Sequence, residues 1–590
     1  MLDPRIYRAG FVPVALAVIA LAFSLSDQQG PAGTNLAPDA FNAQNTFAQM
    51  TGLGVKYPNR RPGSVGDRDL ADEVATGFNS DGLNVSRRVF SARTAEGTKK
   101  LETVLGTRAG SSNRRIVIVA HRDAMTSPAT AELSGTATLL QLAHILSERT
   151  LHSTVVLAST SGSVGAAGAS ELAGTLGGPV DAVLVLGDLV SAQVRGPVVV
   201  PWSSGQYVAP PMLRNTVAAA LGAQTGLPPG GTSLSGQLAR LALPLSLSEQ
   251  GPFDGQGESA VLLSASGELG LAPGAQPSLD RLTGFGRTAL QTISALDDGP
   301  TVPAPGAYLL VDRKVVPAWA IRLLVLALIL PVLGVTIDGF ARARRRGHAV
   351  GPSILRVLAG SLPFFLPAAL LLGLRVTGLL KVAPPGAVGA AVVPLHTAGV
   401  AVLIAVCLVL VLTGVGLRRF IGSLAVAGPA AKGPPSTGGA IAVLLVLCGV
   451  SLAIWVLNPF AAALLVVAIH LWMWVVAPEV RISAPVKAVM VLLGLAPIAL
   501  VLVYYASTFG LGPLDVAWSA VMLIAGQPAA GFVGVAAWSI VLGCLVGVVV
   551  VAARATRDER LEDSAPVTVR GPITYAGPGS LGGTESALRR

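Results

Sequence analysis

The sequence predicts two architectures in one chain: an α/β domain with a mainly parallel sheet and helices on both faces, and an all-α transmembrane bundle of about eight spans. Three observations predict this. Apolar runs long enough to cross ~30 Å of hydrocarbon recur along the chain. Between the first and second of them, strand and helix patterns alternate, the signature of a parallel sheet with crossover helices. Composition agrees: of 590 residues 52% are hydrophobic and only 13% charged, with a mean hydropathy of +0.64, as in integral membrane proteins.

The first apolar run, Gly10 to Ser26, follows Arg5 and Arg8 and lacks a clear small-x-small cleavage site, so residues 1–28 read as an uncleaved signal anchor. Further runs lie near Val315–Ile337, Ile354–Leu374, Ala390–Val415, Gly438–Leu457, Pro459–Val476, Ala488–Ser507 and Gly531–Ala553, which makes residues 313–553 a seven-span domain. Trp518–Ile524 is too short to count. Basic residues sit in alternate loops: Arg342 to Arg346, then Arg418, Arg419 and Lys432, then Arg481 and Lys487, then Arg554, Arg557 and Arg560. The opposite loops carry only Arg375 and Lys381, or nothing. The positive-inside bias therefore places both termini in the cytoplasm and residues 29–312 outside, in a multi-pass protein. The Ala, Gly, Val and Arg usage points to a bacterial plasma membrane. Residues 554–590, rich in Gly, Pro and Ser, read as a disordered tail.

The net charge of +10 does not indicate nucleic acid. Residues 29–312 hold 19 Lys and Arg against 22 Asp and Glu, so the basic excess lies in the membrane half, where it meets lipid headgroups. All three cysteines, Cys407, Cys448 and Cys544, fall in predicted spans. The outer domain is thus held by its own core rather than by disulfides.

Within that domain, strands are expected at Asn84–Phe90, Glu102–Thr107, Arg115–Ala120, Ser153–Ala158, Ala182–Leu186, Val198–Val200 and Ala260–Leu263. Helices fit Asn42–Leu53, Asp67–Phe78, Gly135–Glu148, Ala166–Ala173, Met212–Thr225, Leu234–Leu241 and Leu279–Leu296. The apolar strand Arg115–Ala120 delivers His121-Arg122-Asp123. A Ser134-Gly135 helix start, a second strand and Gly187-Asp188 follow, and Ser248-Glu249-Gln250-Gly251-Pro252-Phe253 precedes Ala260–Leu263.

This order, with Arg61-Pro62-Gly63-Ser64 ahead of it, resembles the co-catalytic di-zinc aminopeptidases, the family of aminopeptidase Y and the glutamate carboxypeptidases. The likeness covers roughly Gln44–Leu296 and implies an aminopeptidase-like fold. In that family a His, a bridging Asp, a Glu-Glu pair, an Asp and a final His hold two zinc ions and supply the base. His121 matches the first ligand, Asp123 the carboxylate that orients it, and Asp188 the later Asp. The bridging Asp falls on Ala131, beside Glu132. The Glu-Glu pair falls on Gly162 and Ser163, and the final His on Gln250. None of the hydroxyls of Ser159–Ser163 can take up a proton as a general base near neutral pH unaided. The resemblance therefore implies at most one weakly bound zinc, on His121, Asp188 and Glu132, and no base.

Other chemistries find little support. Gly162-Ser163-Val164-Gly165 is not a nucleophile elbow, and Ser159–Gly165 and Gly230–Thr232 lack the Lys of a phosphate loop. His144 and His152 read as surface or packing residues. In the spans, Arg322 and Arg356 lie near ends and snorkel, whereas His470 suits a helix-to-helix hydrogen bond. Pro363, Pro367 and Pro497 imply kinks. Three readings follow: a membrane-anchored pseudopeptidase binding a peptide, a lipid-linked substrate or a partner protein; an active zinc aminopeptidase with displaced ligands; or a transporter with an accessory outer domain. The layout, anchor then peptidase-like domain then bundle, is similar to that of the attachment subunit of the eukaryotic GPI transamidase.

Overall fold

The computed structural model describes residues 3–94, 96–127, 129–272, 274–348, 350–380, 395–427, 435–477, 479–526 and 531–564. In chain order its strands are β1 (Ser26–Asp27), β2 (Asn84–Thr94), β3 (Gly97–Arg108), β4 (Arg115–His121), β5 (Thr154–Thr160), β6 (Val180–Leu186), β7 (Val199–Val200), β8 (Ala260–Leu263), β9 (Tyr308–Val311) and β10 (Lys314–Pro317). The main sheet has seven strands in the order β2-β3-β5-β4-β6-β8-β7. Its centre is parallel: β4 runs with β5 and β6, and β6 with β8, so their C-termini share one edge. The remaining pairs are antiparallel.

Ten helices precede the second apolar run: α1 (Pro4–Ala9), α2 (Phe11–Phe23), α3 (Ala43–Lys56), α4 (Val65–Ser80), α5 (Ser134–Ser147), α6 (Ala167–Thr175), α7 (Pro211–Thr225), α8 (Leu234–Ala242), α9 (Gln250–Gly255) and α10 (Leu279–Asp298). Their starts are chemically marked. Asn42, Ser64, Ser233 and Ser278 each accept a backbone N–H of the first turn, satisfying donors that a helix leaves orphaned. Gly226, at φ 67°, closes α7 in the left-handed region that disfavours other residues.

Alternation along the strands sorts the core into two faces. Ile116, Ile118 and Ala120 of β4 pack with Leu157 and Leu184 beneath α3, α4, α5, α7 and α10. Val117 and Val119 pack with Val156, Ala158, Val183 and Val185 against α6 and α9. This second apolar cluster does not stop at the domain surface. It continues through Trp202, Ala239 and Leu241 to Val325, Phe460, Tyr505 and Phe509 of the apolar helices.

Among the described residues, seven helices are long and apolar enough to cross a membrane: Pro4–Phe23, Ala318–Arg345, Thr397–Leu417, Gly438–Leu457, Pro459–Val476, Ala484–Phe509 and Phe532–Arg557. An eighth span results if Val350–Ala359 and Leu362–Val376, bent by 40°, count as one. The break falls at Gly360-Ser361, just ahead of Pro363, whose missing N–H suits a helix start. Trp518–Ile524 lies in the short helix Pro513–Gly526.

Several expected boundaries move. The second apolar helix starts at Ala318 rather than Val315, because β9 and β10 form a hairpin about Asp312 (φ 53°) that also pairs with β1. The two segments flanking the domain are thereby stapled together where they enter the apolar helices. Gln250, ahead of β8, starts helix α9. The expected disordered tail is helical as far as Ser564; residues 565–590, with Lys381 and Lys432, lie outside the described residues. His470 does bridge helices, from Nδ1 to Tyr7 Oη (2.9 Å) and from Nε2 to the Leu328 carbonyl (2.9 Å). Arg322 donates to the Val456 carbonyl and stacks over Trp455.

Candidate functional site

The C-terminal edge of β4, β5, β6 and β8 opens into a cleft of about 300 Å³, where an open parallel sheet places its ligand crevice. His121, Glu132, Ser163, Asp188, Glu249 and Glu268 all contribute to its lining. The Ser134-Gly135 start of α5 lies against this edge for a steric reason: a Cβ on Gly135 would stand 2.9 Å from the Leu186 carbonyl. Thr136 Oγ1 then donates to the His121 carbonyl at 2.7 Å.

His121 ends β4, half-buried, and its Nδ1 faces Glu249 Oε2 at 3.4 Å. Glu249 is buried and also accepts from Thr160 Oγ1 at 2.6 Å. Burial by itself disfavours the imidazolium, but the hydrogen bond and charge of Glu249, with the charges of Asp123 and Glu132, outweigh it and raise His121 to about 9.

Asp123 does not orient the histidine. It is fully buried and accepts from Ser163, from N at 3.1 Å to Oδ1 and from Oγ at 3.0 Å to Oδ2. Burial raises its carboxyl to about 7, against the lowering charge of His121 and with added repulsion from Asp67 and Glu249. The orienting carboxylate comes instead from Glu249, on the opposite wall.

Asp188 is nearly buried, and its oxygens are engaged by protein. Oδ1 accepts from Val190 N and Ser191 N, both at 3.0 Å, and Oδ2 from Ser266 Oγ. About three of roughly four lone-pair positions on the carboxylate are taken. Glu132 lies on a single turn, Thr130–Leu133, with its carboxyl raised by burial and opposed by His121 and Arg60. Ala131 packs beside it against the closed face of the sheet. Gly162 has φ 80°, and a Cβ there would meet Leu101 Cδ1 at 2.8 Å. Gln250 is fully buried and turns from the cleft, donating from Nε2 to the Trp202 carbonyl (2.9 Å) and to Ser246 Oγ (3.1 Å). The structure thus brings His121, Asp188, Glu132 and Ser163 to one cleft and takes Gln250 out of it. Among the described residues, no group of three or more His, Cys, Asp or Glu side chains is placed to hold a metal ion.

Sequence reasoning missed the supports. Arg122, the middle residue of His-x-Asp, is fully buried; its Nε lies 2.9 Å from Asp67 Oδ1, and it donates to the Ser159 and Glu102 carbonyls. Arg60 donates to the Arg122, Tyr57 and Ala129 carbonyls. Asp67 Oδ2 accepts from Gly63 N and Ser161 Oγ. Arg60 and Asp67, which flank the Arg-Pro-Gly-Ser segment, thus form a charge network with Arg122. The one sequence signal was a charged residue inside an otherwise apolar strand end.

No family model matches the chain, and no curated protein does. Solved structures are similar to part of it. They include a Porphyromonas gingivalis glutaminyl cyclase at 15% identity, covering 43% of this chain and 98% of that one, TM-score 0.33. A zinc aminopeptidase from Bacillus subtilis matches at 10%, covering 44% and 95%, TM-score 0.36. A Legionella pneumophila aminopeptidase matches at 15%, covering 44% and 73%, TM-score 0.34.

Proposed function

We propose that the chain is a membrane-anchored pseudopeptidase: a multi-pass plasma-membrane protein with cytoplasmic termini, whose outer domain, residues 29–312, binds a peptide without hydrolysing it. The observation that carries this reading is that the family positions are spent on internal contacts. Gln250 is committed to Trp202 and Ser246, and Asp188 to its own turn and Ser266. Catalytic zinc takes three firm protein ligands at ~2 Å, and this donor set does not fit that demand. A carboxylate at position 162 meets left-handed backbone and Leu101. The acidic lining from Glu132, Asp188, Glu249 and Glu268 suits a cationic group on the peptide. The GPI-transamidase-like layout favours a binding role by analogy alone.

The test is metal analysis of the full chain after dialysis, with hydrolysis of aminoacyl-nitroanilides measured with and without added zinc. Less than one zinc per chain and no turnover are expected. Zinc-dependent turnover abolished by His121→Ala would overturn the reading.

A further inference from the structure

We infer that the C-terminal end of the apolar helix Ala484–Phe509 sets the shape of the cleft, acting through Arg240. Arg240 lies on α8, is buried, and makes three directed contacts. Nη2 pairs with Glu268 Oε2 at 2.5 Å, Nη1 donates to the Leu245 carbonyl at 2.6 Å, and Nε donates to Tyr504 Oη at 3.1 Å. Its guanidinium also sits 5.7, 5.5 and 5.4 Å from the ring centroids of Tyr504, Tyr505 and Phe509, within cation–π reach. Arg240 is thus shared between a membrane helix and the cleft wall.

The wall it reaches has little else to hold it. Residues 243–248 form neither helix nor strand, and their backbone is fixed largely by side chains. Tyr505 Oη donates to the Leu243 carbonyl at 2.5 Å, and Glu268 Oε1 accepts from Leu247 N at 3.3 Å and from Ser246 Oγ at 3.0 Å. Ser246 Oγ in turn accepts from Gln250, next to Glu249, which meets His121. Leu247, Ser248, Glu249 and Glu268 line the cleft. Arg240, Glu268, Ser246, Gln250 and Glu249 therefore connect the apolar helix to the histidine. The approach is close by construction, since a Cβ on Gly236 would stand 2.7 Å from the Tyr504 ring. Asn458, between two apolar helices, adds bonds to the Leu241 and Ala242 carbonyls at 2.9 and 3.2 Å.

A guanidinium suits this place because its planar fork serves several acceptors in fixed directions while its face stacks on rings. A lysine keeps the charge and loses that geometry. Movement of the helix end, through a partner or through bilayer thickness, is thereby transmitted to the 245–249 wall, which is regulation of the proposed binding site. The inference rests on the binding reading only for calling the cleft a binding site. The coupling itself is a contiguous network and needs a coupling measurement.

That measurement is thiol labelling of the full chain in nanodiscs, with Cys407, Cys448 and Cys544 replaced by Ala and a reporter introduced as Ser248→Cys. Val164→Cys, on the opposite wall, is the control. Tyr504→Phe, which removes one hydroxyl, and Arg240→Lys are expected to speed maleimide modification at position 248 about five-fold or more, the scale of one lost hydrogen bond in a local opening. Labelling at position 164 is expected to be unchanged. Equal acceleration at both positions, or none at 248 in either variant, overturns the inference. If Arg240→Lys fails to fold, Tyr504→Phe decides alone. Because no ligand is used, a failed peptide-binding assay and a failed labelling assay are separate results.

Discussion

The two faces of the seven-stranded sheet bury similar side chains against different partners. The face of Ile116, Ile118 and Ala120 is closed by five helices of the same domain. The face of Val117 and Val119 is covered by the short α6 and α9, and its apolar cluster runs on through α8 into the membrane helices. The α/β domain is therefore no independent globule on a tether. One layer of its core is completed by the bundle, and the wall of the cleft belongs to that layer.

The largest expected effect comes from cutting the two apart. Residues 29–312 expressed alone expose the apolar residues of α8, among them Leu238, Leu241 and Ala242, that pack toward Pro459–Val476 and Ala484–Phe509, and each fully buried Leu is worth ~1.5–3 kcal/mol. Destabilisation by more than ~5 kcal/mol and self-association are expected by thermal unfolding and gel filtration. A monodisperse fragment that melts with the full chain would erase the distinction between the faces.

Next come single cavities. Phe285→Ala on the closed face and Phe253→Ala on the open face, both fully buried, should each cost ~3–5 kcal/mol. Phe253 lies on α9 beside the cleft, so only its loss should increase proteolysis within residues 243–250. Equal protection in both variants would show that the open face does not support the wall.

Gly162→Glu, which would add a carboxylate beside the cleft residue Ser163, should cost ~2–3 kcal/mol through left-handed strain and the Leu101 contact. It should not create zinc binding; denaturant unfolding checks the first statement and isothermal titration of the folded variant the second.

Smaller again is the pH dependence. His121 at about 9 is raised above its unfolded value, so its contribution is complete below about pH 6.5 and lost as pH rises through 9. Asp123 at about 7 is likewise raised, and its buried protonated form loses advantage as pH rises through 7. Both act in one direction, and stability should fall by on the order of 2 kcal/mol between pH 6.5 and 9. Glu249→Gln should move the His121 titration, followed by NMR, down by about one pH unit. The smallest effect is that of Tyr505→Phe, at about 1 kcal/mol for its bond to the Leu243 carbonyl.

Much was legible beforehand because it rests on local rules. Short continuous apolar runs located β4, β5, β6 and β8, and the long ones located the apolar helices. His121 and Asp188 were legible as strand-end residues on one edge of a parallel sheet. The partner of His121 was not, because Glu249 lies 128 residues away and nothing near either residue announces the other. Arg122 and Asp67 were opaque for the same reason: a buried ion pair is a statement about two distant segments.

By itself, then, the sequence determined the two architectures and the edge at which the cleft opens. Those follow from residue type and periodicity, which act over a few neighbours. Only the tertiary structure decided that Asp123 serves Ser163, that Gln250 points into the core, and that Arg240 joins the cleft wall to Tyr504. The physical reason is that a hydrogen bond depends on distances of about 3 Å and on direction, and packing sets both only once the whole chain is in place.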